Sequence, residues 1–144
     1  MRGRLIAIII LSIVGVAIST YSFLHHQAVL PGTWCDLSAT FNCDTVNRGP
    51  FSEIAGIPVA LIGIIGYLFL VIAAALRLKQ PEDKGLRVFL ILAATGGFLF
   101  SLYLTGVETV VLQVWCPVCL TSQVVMLSIF ILSVWKQKQP SAIQ

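Results

Sequence analysis

The stretch Ile54–Leu76 reads IAGIPVALIGIIGYLFLVIAAAL, with no Asp, Glu, Lys or Arg anywhere in it. It exceeds the roughly 20 apolar residues that carry a helix across a hydrocarbon core of about 30 Å. Working outward, three further uncharged runs appear, at about residues 5–24, 88–107 and 110–135. Backbone polar groups in lipid must be satisfied within their own segment, so these runs are expected to be helices. Their apolar residues do not alternate with a period of two, which excludes a β-barrel. The expected fold is therefore an all-α integral membrane bundle of four spans, with an outer loop over residues 25–53 between the first and second.

Composition agrees with that frame. Of the 144 residues, 58% are hydrophobic and only 10% are charged. An ordinary soluble domain is about 25% charged. A soluble globular enzyme and a disordered chain are both excluded. The length fits one domain, 1–144. The basic residues sit at segment ends rather than in a patch interleaved with aromatics, so nucleic acid is not an expected partner.

Lys and Arg set the orientation. Arg2, Arg4, Arg77, Lys79, Lys84, Arg87, Lys136 and Lys138 fall on one side of a four-span arrangement, and only Arg48 on the other. Both termini are expected in the cytoplasm of a prokaryote, with residues 25–53 outside. The first span reads as an uncleaved helix, because its apolar run is long and no Ala-x-Ala site follows. Pro31-Gly32 and Asn47-Arg48-Gly49-Pro50 are turn-formers in the expected outer loop. Ser52 is expected to cap the second span, with Glu53 in its first turn. A tight turn near Glu108, a residue expected to be solvated, joins the third and fourth. Gly96-Gly97 and Gly63 with Gly66 allow close helix approach.

The chain has four cysteines, Cys35, Cys43, Cys116 and Cys119. Two lie in the outer loop, and two form Cys116-Pro117-Val118-Cys119 in the fourth span. With a rise of about 1.5 Å per residue, Cys116 is expected roughly 10 Å below the outer surface. All four then face the compartment where disulfides persist. Positions i and i+3 on a helix hold Cβ atoms about 5–6 Å apart. A disulfide wants about 3.8 Å, so the pair closes with modest distortion and reopens. Pro117, inside a helix, would release the Gln113 carbonyl and bend the span beside the sulfurs. Zinc fingers generally use two short-spaced pairs on loops, which this spacing does not match. No His follows Cys119, so haem attachment is excluded. Two inert structural disulfides, or a thiol relay for soft metal ions, remain as blander readings of the same residues.

The motifs together resemble the vitamin K epoxide reductase family in its short prokaryotic form. They are Trp34-Cys35-Asp36-Leu37, then Cys43 after seven intervening residues. Phe51-Ser52-Glu53-Ile54-Ala55-Gly56-Ile57-Pro58 follows, leading to Gly63 and Tyr67. Cys116-Pro117-Val118-Cys119 completes the set. The resemblance implies a four-helix bundle around a quinone, of ubiquinone, menaquinone or vitamin K type. It implies an enzyme that oxidises a thioredoxin-like, DsbA-type extracytoplasmic protein and reduces the quinone. With no thioredoxin domain fused after the last span, that partner is expected in trans. Alternatives are a vitamin K quinone or epoxide reductase whose purpose is the reduced quinone, and a non-catalytic tetraspan protein held by disulfides.

By resemblance, Cys119 meets the quinone and Cys116 resolves it and exchanges with Cys43. Cys35 takes the partner's attack. A mobile loop is expected to carry Cys43 down to Cys116. Ser52, Phe51, Gln123 and Trp34 are the expected quinone contacts, and no metal ligand is expected. Gln123, one turn after Cys119, stands near where vertebrate members carry Tyr, which puts anticoagulant-type binding in doubt. Trp34 and Trp115 also suit an interfacial aromatic belt. Asp36 and Asp44 read as caps of a short loop helix. His25 and His26 read as interfacial anchors more than as catalysts.

Overall fold

The computed structural model describes residues 1–30 and 35–135. Its elements are α1 (Arg2–His26), α2 (Cys43–Arg48), β1 (Glu53–Ile54), β2 (Ile57–Pro58), α3 (Val59–Lys79), α4 (Lys84–Gly106) and α5 (Pro117–Val134), with a π-helical segment (Val107–Leu112) continuing α4. Among the described residues, four helices are long and apolar enough to cross a membrane: α1, α3, α4 with its π extension, and α5. The family-scale expectation of four long apolar helices is met.

The helices form a ring in the order α1, α3, α4, α5, each packed on its neighbours. Leu5, Ile8, Leu70, Leu90 and Ile129 fill the end of the ring nearer the N-terminus. Small residues let α1 and α3 close on one another. Ser12, Ser19 and Ser22 are buried on one stripe of α1. Gly15 lies on the same stripe, where a Cβ would strike the Tyr67 ring. Tyr67 is thereby aimed across the ring, and its hydroxyl donates to the Ser122 carbonyl at 2.9 Å. A Cβ at Gly97 would stand 2.8 Å from Met126 Cε, so α4 and α5 also approach through glycine. The outer surface is apolar: Ile10, Ile72, Leu92 and Leu99 are all more than half exposed. Such a continuous apolar exterior suits lipid and not water.

Several boundaries differ from those expected. The second span begins at Val59, not Ile54. Ala55 and Gly56 both take positive φ, 53° and 80°, and close a two-residue hairpin pairing Ile54 with Ile57 and Glu53 with Pro58. Positive φ at both central positions is what a type I′ turn demands. Pro58, extended at φ −57°, then leads into α3. Ser52 therefore does not cap the span, and Glu53 is not in its first turn. The Ser52 hydroxyl donates to the Gly49 carbonyl at 2.7 Å. The side-chain cap in this region is Asn42, whose Oδ1 accepts the Thr45 amide at 3.0 Å and starts α2.

The third span does not turn at Glu108. It runs on as the π segment to Leu112 and stops at Gln113, which adopts a left-handed conformation at φ 52°. The fourth span starts at Pro117 instead of residue 110. Proline suits the first helical position, where its missing N–H costs nothing and its fixed φ is already helical. Pro117 thus initiates α5, and the expected bend beside it does not occur.

Candidate functional site

The cysteines sit where α2, the end of the π segment and the start of α5 meet. Cys116 is the N-cap of α5: its Sγ accepts the Cys119 amide at 3.3 Å. On the other side, residues 40–42 lie alongside Trp115. Trp115 donates its N–H to the Thr40 carbonyl at 2.7 Å, and the Asn42 N–H donates to the Trp115 carbonyl at 3.1 Å. Those two bonds form a short parallel bridge between Phe41 and Trp115. The residue after each bridge strand is a cysteine or leads straight to one, so the bridge brings Cys43 to Cys116.

The result is a buried line of sulfurs. Cys35 and Cys43 form a disulfide with Cα atoms 5.4 Å apart. Cys43 Sγ is also 2.9 Å from Cys116 Sγ. Cys116 and Cys119 are free thiols. Cys35, Cys43 and Cys116 are 2%, 0% and 0% exposed. Cys119 packs against them. The expectation that a mobile loop must carry Cys43 down is corrected: α2 is capped, bridged and already in place. The sulfurs of Cys35, Cys43 and Cys116 lie within 4.8 Å of one another, a spacing a soft metal ion could use. With two of the three tied in a disulfide, one thiolate donor remains, which is too few for a tetrahedral site.

Around the cysteines the polar groups are shared out. Asp36 Oδ1 accepts the Asp44 amide at 3.2 Å, so Asp36 does help to cap α2. Asp44 instead pairs with Arg48 at 3.0 Å. His25 is fully buried, with Nε2 3.8 Å from the Asp44 carboxylate. His26 Nδ1 is 2.5 Å from the Asn47 carbonyl, and its Nε2 is 3.2 Å from Glu53 Oε1. Glu108 contradicts the expectation of a solvated carboxylate. It is 3% exposed and accepts the Cys116 amide through Oε2 at 3.3 Å. The π segment explains this, because it turns Glu108 inward under the cysteines rather than out at a turn.

Inside the ring lies a cavity of about 460 Å³. That size is within the range of small-molecule sites. Its walls are mainly apolar, from Ile18, Leu70, Phe89, Phe100 and Met126 among others. Cys119, Glu108, His26, Asn47, Ser52, Phe51 and Gln123 also line it. Three of the four expected quinone contacts therefore share one cavity with Cys119. The fourth, Trp34, lies outside the described residues. Thr105 Oγ1 donates to Gln123 Oε1, and Gln123 lines the cavity. Asn47 Nδ2 is buried without a partner among the described residues. An idle buried donor in an apolar cavity fits a ligand bearing a carbonyl oxygen, as a quinone does.

Asn47 and Glu108 escaped the sequence reading. Asn47 sits in a run that reads as a turn. Glu108 did leave a signal, as the one carboxylate in an otherwise uncharged stretch from 88 to 135.

Four apolar helices, a buried disulfide and two neighbouring free thiols beside an apolar cavity fit a membrane oxidoreductase of the disulfide-linked kind. Comparison with protein families matches residues 6–134 to the vitamin K epoxide reductase family, and the chain belongs to that family. Comparison with curated proteins gave no match. Members of the family are oxidoreductases that use quinones as electron carriers.

Proposed function

We propose that this protein is a thiol:quinone oxidoreductase that takes electrons from a thioredoxin-like, DsbA-type protein and passes them to a membrane quinone. Such an enzyme sustains disulfide formation outside the cytoplasm. The observation that carries the reading is the position of Cys43 Sγ, bonded to Cys35 and 2.9 Å from Cys116 Sγ, with Cys119 next in line in the cavity wall.

The thiol steps follow from those contacts. A dithiol partner reduces Cys35–Cys43 and leaves with its own disulfide. The Cys43 thiolate attacks Cys116 in a Cys116–Cys119 disulfide, forming Cys43–Cys116 and releasing Cys119 as thiolate. Cys35 then attacks Cys43, which restores Cys35–Cys43 and frees Cys116. Two electrons have moved inward, and the observed state, one disulfide and two thiols, is the product. Each step is thiolate attack on a disulfide through a mixed disulfide. The Cys119 amide supports the sulfur of Cys116 whenever it leaves.

A quinone bound in the cavity supplies the acceptor for two electrons and two protons. Asn47 and Gln123 would hold it as hydrogen-bond donors, with Phe51 and Ser52 also in the cavity wall. Glu108, against Cys116 and in the same cavity as Cys119, is placed to take the thiol proton. His26 joins the cavity to the exposed Glu53 carboxylate, which offers a proton route from the outer face. Because Cys35 is 2% exposed, the partner must displace its cover before attack. The bias of Lys and Arg supports an orientation with this end outside the cytoplasmic membrane and both termini inside.

The test uses purified protein in detergent, a reduced DsbA-type protein, and soluble ubiquinone and menaquinone analogues. Wild type should consume quinone, followed by its absorbance, and Cys119→Ala should consume none. Full activity of Cys119→Ala, or no consumption of any quinone by wild type with a competent donor, would overturn the reading. The quinone that is consumed fastest identifies the preferred type.

A further inference from the structure

At the end of the bundle away from the cysteines lies a charged cluster that the redox chemistry does not use. Arg4 from the first turn of α1, Arg77 from the last turn of α3 and Arg87 from the first turn of α4 line one narrow cleft of about 20 Å³. Met1, Ser133, Trp135 and apolar side chains of α1, α4 and α5 also line it. Arg77 is 7% exposed, and its Nε is buried without a hydrogen-bond partner among the described residues. Arg87 and Arg4 face the same cleft, so two like charges lie beside it. Arg4 spends one donor on the Trp135 carbonyl, at 3.0 Å. A guanidinium carries five, so most remain available.

Among the described residues, no carboxylate lines the cleft. Glu82 and Asp83 are the acidic residues of the α3–α4 connection. Asp83 Oδ1 is engaged by the Gly85 and Leu86 amides at 2.8 and 3.2 Å, capping α4. Glu82 is exposed, and every ion pair among the described residues lies at the cysteine end. The sequence beyond Trp135 contains Lys136 and Lys138 but neither Asp nor Glu. The topology rule explains basic residues at these helix ends. It explains side chains that snorkel into water. It does not explain a guanidinium drawn in between helices, beside two like charges and with an idle N–H. That arrangement is costly unless an anion completes it.

We propose that Arg4, Arg77 and Arg87 bind the phosphate of an anionic membrane lipid. Guanidinium groups recognise phosphate through paired N–H donors. A cleft of this size admits about one oxygen atom. The rest of the phosphate then sits at the mouth, at the depth of lipid headgroups, with the apolar outer helix faces beside it for the acyl chains. Basic pockets between helices at a membrane surface are known to select such headgroups. The inference is independent of the quinone and of the protein partner.

The test is native mass spectrometry of the full chain in detergent, titrated with dioleoyl phosphatidylglycerol, dioleoyl phosphatidylcholine or inorganic phosphate. Wild type should retain a single phosphatidylglycerol under conditions that strip phosphatidylcholine. Arg4→Gln and Arg87→Gln should each weaken that binding about fivefold, the effect of losing one basic contact. Lys84→Gln, outside the cleft, should leave it within about twofold. Arg77→Gln should weaken it most; Arg4→Gln and Arg87→Gln carry the test if that variant fails to fold. Equal retention of both lipids, or wild-type affinity in the Arg4 and Arg87 variants, would overturn the proposal. Saturation by inorganic phosphate that displaces the lipid would also overturn it, by showing a site for free anion.

Discussion

Glu108 is where a single side chain bears most on the chemistry. A carboxylate buried under two cysteines, accepting the amide of one and sharing a cavity with the other, is a natural base for the thiol proton. Glu108→Gln keeps the shape and the acceptor but removes the base. It should slow quinone reduction about 100-fold, within the usual range for general-base loss, and Glu108→Asp should recover part of it. Single-turnover absorbance measurements on the two variants check this, with melting curves confirming that both remain folded. The four cysteines were legible as one cluster because their spacing set two pairs at the same end of the bundle, and the structure brings them together. Glu108 was not, since its role depends on which way one turn of helix faces. Asn47 was hidden for a similar reason, because Asn is common in turns and only the packed cavity reveals a donor without a partner.

At the scale of elements, the apolar runs announced the four helices, but their ends were set by local backbone rules that hydropathy ignores. The Ala55-Gly56 turn cut the start of the second span by several residues, and Pro117 fixed the start of the last. An alanine at φ 53° carries a strain that glycine or asparagine does not. Ala55→Gly should therefore raise stability by about 0.5–1 kcal/mol, read from thermal unfolding in detergent. The placement of α2 makes a second prediction. With Cys35 removed, Cys43 keeps one sulfur neighbour, Cys116 at 2.9 Å. Cys35→Ala should accordingly yield a Cys43–Cys116 disulfide on mild oxidation, seen as a linked peptide by mass spectrometry. Absence of that product would mean that the two sulfurs do not meet in solution.

For the whole molecule, the sequence foretold a bundle with polarity: sulfur chemistry at one end and basic residues at the other. The order of the helices around the ring could not be read from it, because neighbour relations depend on small residues such as Gly15 meeting large ones such as Tyr67 across the chain. Orientation is open to direct measurement. In a chain whose four native cysteines are replaced by serine, Ser38→Cys and Gln80→Cys place single thiols at exposed positions on opposite ends. A membrane-impermeant maleimide should label Ser38→Cys in intact cells, and Gln80→Cys only after lysis. The reverse pattern would place the cysteine end in the cytoplasm.

The bridge between Phe41 and Trp115 reaches beyond architecture. Its two backbone hydrogen bonds hold Cys43 beside Cys116 in the folded chain. The entropy of bringing the two sulfurs together is thus met once, when the chain folds, and not again at every turnover. In kinetic language the internal thiol has a high effective molarity, as in well-oriented intramolecular reactions. Exchange between the two cysteine pairs should then be insensitive to solvent viscosity, which leaves the arrival of the protein donor and the opening of Cys35 to set the pace.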